Sequence, residues 1–398
     1  MKKCRSCSAL INKPFAHKPN GSEINLEIFI CENCSLIQGF CDEKKYSLKN
    51  DNFKNPELTL SEISCDSKYS NIRVGKQQMA DKFFQLVKKG LIPIDFTKIN
   101  SVIDVRSARG SFILNAYKIF NFAKHFYALE QDHYLYGNID EYKNKNITIL
   151  DNSIYNFNSK EKFDFVYSCH TIEHYRNPNH YLSSIKSLLS NNGYLFLDVP
   201  NTVDFIFTPS LDDFFYDKHL IYFEPETLKE VLEKNGFSII WLRTSGNGCI
   251  ECLSQINVSQ YISFQDNGSN QSRKITYKNL RDYSLSINKL RGKLPNASKL
   301  LSNWLINYKS TFAIGSGRIL DAFLKYGSLD KKLFNVYIDN FLFDATKEVN
   351  NLKITNLKSV EQIPDAAVMF TRNFNEGLEM NLKKLNPECK IKHWKEFF

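Results

Sequence analysis

"SVIDVRSARGSFIL", residues 101–114, runs from an apolar strand into an acid, then through a loop of small residues into the start of an apolar helix. A strand, a tight loop and a helix N-terminus turn backbone N–H groups toward a common point, where a nucleotide-type cofactor is held. Such a loop reads D-x-G-x-G-x-G. Here Asp104 and Gly110 keep their places, while Arg106 and Ala108 stand at the first two glycine positions.

Outward from this stretch, residues 75 to about 250 alternate strand and helix patterns, which predicts a mostly parallel sheet. "GKQQMADKFFQLVKKG" (75–90) reads as an amphipathic helix and "GSFILNAYKIF" (110–120) as a second. "HFYALEQD" (125–132), "ITIL" (147–150), "FDFVYSCH" (163–170) and "YLFLDVPN" (194–201) read as strands. "HYLSSIKSLLSNNG" (180–193) is a helix with a glycine stop, and "PETLKEVLEKNGF" with "SIIWLR" adds a further helix and strand. Glu130 falls at the end of the second strand, one βαβ unit after Asp104, where an acid takes both ribose hydroxyls of a nucleoside. Asp151 and Asn152, after the third strand, are polar partners for a base, and Ser168 closes the fourth strand.

The chain of 398 residues is long enough for several domains. The sequence divides into a head (1–70), the strand–helix core (71–255), a linker and helical segment (256–309), and a second, smaller α/β unit (310–398). That last unit repeats the strand–Gly–helix order in "STFAIGSGRILDAFLKYG", with Gly315, Gly317 and then Asp339 at a strand end. A composition of 42% hydrophobic and 24% charged residues describes a globular enzyme or binding protein. No apolar run reaches membrane-spanning length, the N-terminus lacks an apolar signal core, and a cytoplasmic, membrane-free protein is expected. The net charge of +9 is scattered among acids, without a stripe for nucleic acid, and suits a phosphorylated small substrate. Oligomeric state is not readable.

In the head, Cys4-x2-Cys7 and Cys31-x2-Cys34 form two knuckles. Each turn directs two thiolates at one centre, and two turns complete a tetrahedron around a structural Zn²⁺. His170 and His174 flank Glu173, but two histidines without a third ligand make a poor metal site, and a role in shaping the loop is expected. Cys249-x2-Cys252 lies in an apolar run without a second pair and reads as core.

The segment "FDFVYSCHTIEHYRNPNHYLSSIKSLLSNNGYLFLDVPN" (163–201), with "CENCSLIQ" (31–38) and "FFYDKHLIYFEPETLKEVLEKNGF" (214–237), resembles the zinc-containing class I S-adenosylmethionine-dependent sugar methyltransferases. These enzymes C-methylate keto-deoxysugars attached to a nucleoside diphosphate. The resemblance extends over nearly the whole chain, and it is more specific in head and core than in the tail. It implies an α/β fold with a central Rossmann-like class I methyltransferase sheet, an N-terminal zinc-binding head and a smaller C-terminal α/β domain. It also implies S-adenosylmethionine as cofactor, held by Asp104, Gly110, Glu130, Asp151, Asn152 and Ser168, and a nucleotide-linked sugar as substrate; Arg106, standing where the loop pattern has glycine, either occupies the place of the cofactor's amino-acid end or pairs with its carboxylate. Tyr216 and His219 carry over as the residues facing the sugar, with Tyr69 as the match for a further sugar-contacting tyrosine. Lys218, where the family has Glu, is assigned to the same substrate site.

Three readings follow: an active methyltransferase with a rebuilt loop, a cofactor-free protein of the same fold that binds or scaffolds in sugar biosynthesis, and a sugar-nucleotide enzyme of another class using the tail loop.

Overall fold

The computed structural model describes residues 2–19, 25–40, 75–131, 139–157, 159–215, 219–244, 248–256, 264–266, 274–315, 317–340, 343, 348–349 and 352–398. The head contains β1 (Lys2–Lys3), β2 (Leu10–Ile11), β3 (Phe15–His17), β4 (Leu26–Ile30) and β5 (Ile37–Phe40). β1–β2 and β4–β5 are antiparallel pairs, and a Cys-x2-Cys knuckle forms the turn of each.

The core begins with α1 (Gly75–Lys88), followed by β6 (Ser101–Val105), α2 (Ile113–Ala116), β7 (His125–Leu129), α3 (Ile139–Asn144), β8 (Ile147–Leu150) and β9 (Phe163–Cys169). It continues through α4 (Pro178–Leu188), β10 (Leu189–Pro200), α5 (Thr202–Ile206), β11 (Ile221–Tyr222), α6 (Pro225–Lys234), β12 (Phe237–Thr244), β13 (Cys249–Ile256) and β14 (Phe264–Asp266). The sheet order is β14-β12-β13-β10-β9-β6-β7-β8. Strands β6 to β10 run parallel, and β13 runs antiparallel between β10 and β12. On one face Phe83 of α1 packs on Phe112, Phe165, Tyr167 and Phe196. On the other, Leu182, Ile185 and Leu228 of α4 and α6 share a core with Ile103, Val166 and Leu197.

Three local expectations change. The helix after the cofactor-type loop is only Ile113–Ala116, because Asn115 donates its side-chain amide to the Ser111 carbonyl while its backbone N–H takes the i−3 bond to Phe112. Gly193 is not a helix stop. The helix already ends at Leu188, and Gly193 lies in β10, where a Cβ would stand 2.7 Å from the Phe163 carbonyl oxygen. Within the stretch read as linker, β14 pairs in parallel with β12.

The single helix α7 (Tyr277–Leu305) passes through Gly292 and Pro295 because its apolar face continues beyond them. Tyr283 and Ile287 pack toward the head, and Leu294, Ala297, Leu301 and Leu305 toward the tail. The tail contains β15 (Thr311–Ile314), α8 (Arg318–Tyr326), β16 (Val336–Ile338), β17 (Glu348–Val349), β18 (Leu352–Thr355), β19 (Ala366–Met369), α9 (Glu376–Leu385) and β20 (Lys390–His393). Its sheet order is β17-β18-β16-β15-β19-β20, parallel except for β17. No helix among the described residues is long and apolar enough to cross a membrane.

One pairing ties head to core. Strand β11 adds to the head sheet, giving the order β11-β5-β4-β3. Gly39 donates its N–H to the Leu220 carbonyl, and Leu220 donates its own to the Glu173 carbonyl.

Candidate active site

The two knuckles have the same backbone. Ser8 and Ser35, each following the second cysteine, sit at φ 64° and 56° and donate N–H to the carbonyls of Cys4 and Cys31 at 3.0 and 2.9 Å. The four thiols converge. Cys4 and Cys34 Sγ are 3.5 Å apart, as are Cys7 and Cys31 Sγ, and all four sulfurs lie within 4.8 Å of one another. Gln38 donates a side-chain N–H to Cys4 Sγ. This is a donor set of the kind that holds zinc with no coordination position left open.

At the carboxyl end of β6, Arg106, Ala108 and Gly110 have φ of 58°, 51° and 74°. The loop therefore follows a left-handed path at all three positions of the glycine pattern, two of them with side chains, at roughly 1 kcal/mol or more for each non-glycine residue. It is held from three sides. The N–H groups of Arg106 and Ser107 reach the Leu129 carbonyl, Lys76 of α1 donates to the Arg106 carbonyl, and the Ala108 N–H bonds Glu130 Oε2 at 3.0 Å. Arg106 is 6% exposed and Glu130 0%. Burial, with Glu130 nearby, pushes Asp104 up to about 7 against the pull of Lys76.

Beyond β9 and β10 a second group of titratable side chains gathers. Glu173 is 1% exposed, and its two carboxylate oxygens accept no hydrogen bond among the described residues. Around Glu173 Oε1 stand His170 Nδ1 at 3.6 Å, His219 Nε2 at 3.8 Å and His174 Nε2 at 4.0 Å. The His174 and His219 rings meet edge to face. Burial pushes Glu173 up to about 8, and burial with Lys76 and Lys82 brings His170 down to about 3. His219, 4% exposed, owes its position to the doubly bonded Leu220 beside it.

The structure thus brings Asp104, Arg106, Gly110 and Glu130 together around one loop. Asp151 is exposed after β8, and Asn152 beside it accepts the Ser153 N–H. Ser168 points elsewhere, its hydroxyl 2.6 Å from the Tyr181 hydroxyl in the core. Tyr69, Tyr216 and Lys218 lie outside the described residues. Sequence reasoning left His170 and His174 without a third neighbour; the third is His219, 45 residues beyond His174. It also missed Lys76, whose ammonium links the Arg106 carbonyl to the Thr171 hydroxyl, and nothing in an amphipathic helix pattern marks that lysine.

Residues 75–242 match a family model described as a methyltransferase domain. Among solved structures, the chain is similar to an S-adenosylmethionine-dependent methyltransferase from Clostridium acetobutylicum, with 13% identity over 44% of this chain and 90% of that one, and a TM-score of 0.33. It is similar to magnesium protoporphyrin IX methyltransferase from Synechocystis PCC 6803, with 17% identity, coverage of 49% and 86%, and a TM-score of 0.33. A methyltransferase from Aquifex aeolicus gives 16% identity, coverage of 46% and 97%, and a TM-score of 0.35. None of the curated proteins matches the chain in sequence.

Proposed function

We propose that the chain transfers a methyl group from S-adenosylmethionine to a sugar, nucleotide-linked, in deoxysugar or surface-polysaccharide biosynthesis. Beside the methyltransferase domain match, the observation that carries this reading is the placement of His219, buried against Glu173 and fixed by the head's pairing with β11.

The chemistry of the residues at the β6 loop fits the cofactor: Glu130 for the ribose diol, Arg106 for the amino-acid carboxylate, Asp151 and Asn152 for the base, and Asp104 beneath the turn. When bound, S-adenosylmethionine supplies an electrophilic methyl group on a sulfonium. The protein's share is alignment and one base. His219 removes a proton from the carbon beside a keto group, or from a hydroxyl, and Tyr216 donates a hydrogen bond to the developing oxyanion. Glu173, 3.8 Å from His219 Nε2, orients the imidazole. Zinc held by Cys4, Cys7, Cys31 and Cys34 does no chemistry in this scheme; it stiffens the head that positions Leu220 and His219.

One observation favours the cofactor-free reading. Glu130 is wholly buried with Oε2 on the Ala108 N–H, so a ribose reaches it only after that bond opens. Calorimetric titration with S-adenosylmethionine and S-adenosylhomocysteine separates the two. Binding of both is expected, with His219→Ala retaining affinity and losing about 10²- to 10⁴-fold in methyl transfer to a nucleotide-linked keto sugar. Absence of binding to the wild-type chain moves the conclusion to the scaffolding role.

A further inference from the structure

We propose that Cys169, His170, Asp198 and Cys249 bind a zinc ion, at a site separate from the four-cysteine cluster of the head. The sequence scatters these residues over 80 positions, and the sheet collects them. Asp198 of β10 is the register partner of Cys169 on β9, and Cys249 enters from the antiparallel β13, opposite Pro200. Donor atoms of Cys169, His170 and Asp198 lie within 4.8 Å of one another. His170 Nε2 stands 3.8 Å from Asp198 Oδ1 and 3.6 Å from Cys249 Sγ. Ligands at zinc bond lengths of about 2.0–2.3 Å occupy tetrahedral corners roughly 3.3–3.8 Å apart, and both spacings fall in that range.

Burial supplies the second argument. Cys169, Cys249 and Asp198 are all inside, with Asp198 at 2% exposure, and its Oδ1 accepts no hydrogen bond among the described residues. A buried carboxylate oxygen left without a donor is costly, and a cation removes that cost. Lys82 of α1 is in contact with Glu251 and its charge also acts on Asp198, but it makes no hydrogen bond to Asp198 Oδ1. His170 takes a left-handed backbone, φ 44°, and donates its N–H to the Asp198 carbonyl, which directs its ring to both carboxylate and thiol. Its side chain is 31% exposed, leaving the ion a way in.

The donor set decides the metal. Two thiols and an imidazole select zinc over magnesium or calcium, which take oxygen ligands. Such an ion would clamp β9, β10 and β13 together beneath α1, whose Met79 Sδ lies 3.7 Å from Cys249 Sγ.

This inference does not rest on methyl transfer, and metal analysis of the full chain purified without chelator tests it. Two zinc ions per chain are expected, one lost in Cys169→Ser/Cys249→Ser and the other in Cys4→Ser/Cys31→Ser. A single ion kept by the head variant and lost by the Cys169/Cys249 variant also supports the site. Unchanged metal content in the Cys169/Cys249 variant overturns it, as does a wild-type chain without zinc. Should that double variant fail to fold, His170→Ala and Asp198→Asn are each expected to lose one equivalent. Cobalt exchange into the wild-type chain adds a readout independent of variants: two equivalents with distinct d–d spectra support the site, and a single equivalent with the spectrum of a four-thiolate centre overturns it.

Discussion

The core sheet and the tail sheet begin alike. β6 leads into a left-handed loop and a short helix, and β15 leads through Gly315, φ 91°, into α8. Their carboxyl edges differ. Asp104, Glu130, Asp198 and Glu173 are all buried at the core edge, where burial lifts Asp104 and Asp198 to about 7 and Glu173 to about 8. At the tail edge no acid is buried among the described residues, and the groups there satisfy one another: the Thr371 carbonyl accepts both His393 Nε2 and Trp394 Nε1 at 2.8 Å, and Asn340 accepts the Leu357 N–H. A Cβ on Gly315 would stand 3.3 Å from the Phe370 carbonyl oxygen, so the tail's glycine serves close packing. One architecture appears twice, and only the core edge carries perturbed acids in the pattern that marks chemistry.

That contrast breaks most visibly on cofactor affinity. Glu130→Ala should weaken S-adenosylmethionine binding by about 1–3 kcal/mol, roughly 5- to 150-fold, as expected for losing a charged hydrogen-bonding partner. Asp339→Ala, the counterpart at the tail edge, should leave affinity unchanged. Calorimetry on both variants checks the pair, and the reverse result would put the site in the tail.

A second difference between the edges is visible in stability. Asp104 has an ordinary value of 3.8 and stands at about 7 in the folded chain. Between those values the folded state holds a proton that the unfolded chain has released, so this group's contribution to stability falls as pH rises from about 4 to about 7 and levels off above. Asp104→Asn removes that fall. Denaturant midpoints at pH 4, 5.5 and 7 should show the variant gaining on the wild type as pH rises, and parallel curves would contradict the buried, protonated Asp104. Asp339→Asn should give parallel curves.

What the sequence made legible was local. The knuckles follow from two Cys-x2-Cys spacings, and Asp104 and Glu130 from strand ends one βαβ unit apart. What it hid depends on pairing across the chain. His219 meets Glu173 only because β11 joins β5 in the head, and Cys249 meets His170 only because β13 turns back against β10. The shortness of α2 was hidden for another reason: Asn115 closes its side chain on the Ser111 carbonyl, a competition that apolar periodicity does not register.

Arg106 offers the smallest effect and the sharpest reading of the core loop. Its left-handed backbone is one that glycine adopts without strain, so Arg106→Gly relieves roughly 1 kcal/mol locally while enlarging the freedom of the unfolded chain, and net stability should change little. Affinity carries the information. If the guanidinium pairs with the cofactor's carboxylate, its loss removes a charge-assisted hydrogen bond, and the easier backbone offsets part of that loss. The expected outcome is binding weaker by less than about tenfold, even though the substitution restores the glycine of the loop pattern. If Arg106 instead fills the place of the cofactor, the same substitution opens it, and S-adenosylmethionine binds the variant more tightly. Titrations of the two proteins at one salt concentration decide between these, because an exposed electrostatic contribution would otherwise vary with screening. Tighter binding by the glycine variant would make the core loop a closed site, and the contrast between the two sheets would reduce to the acids alone.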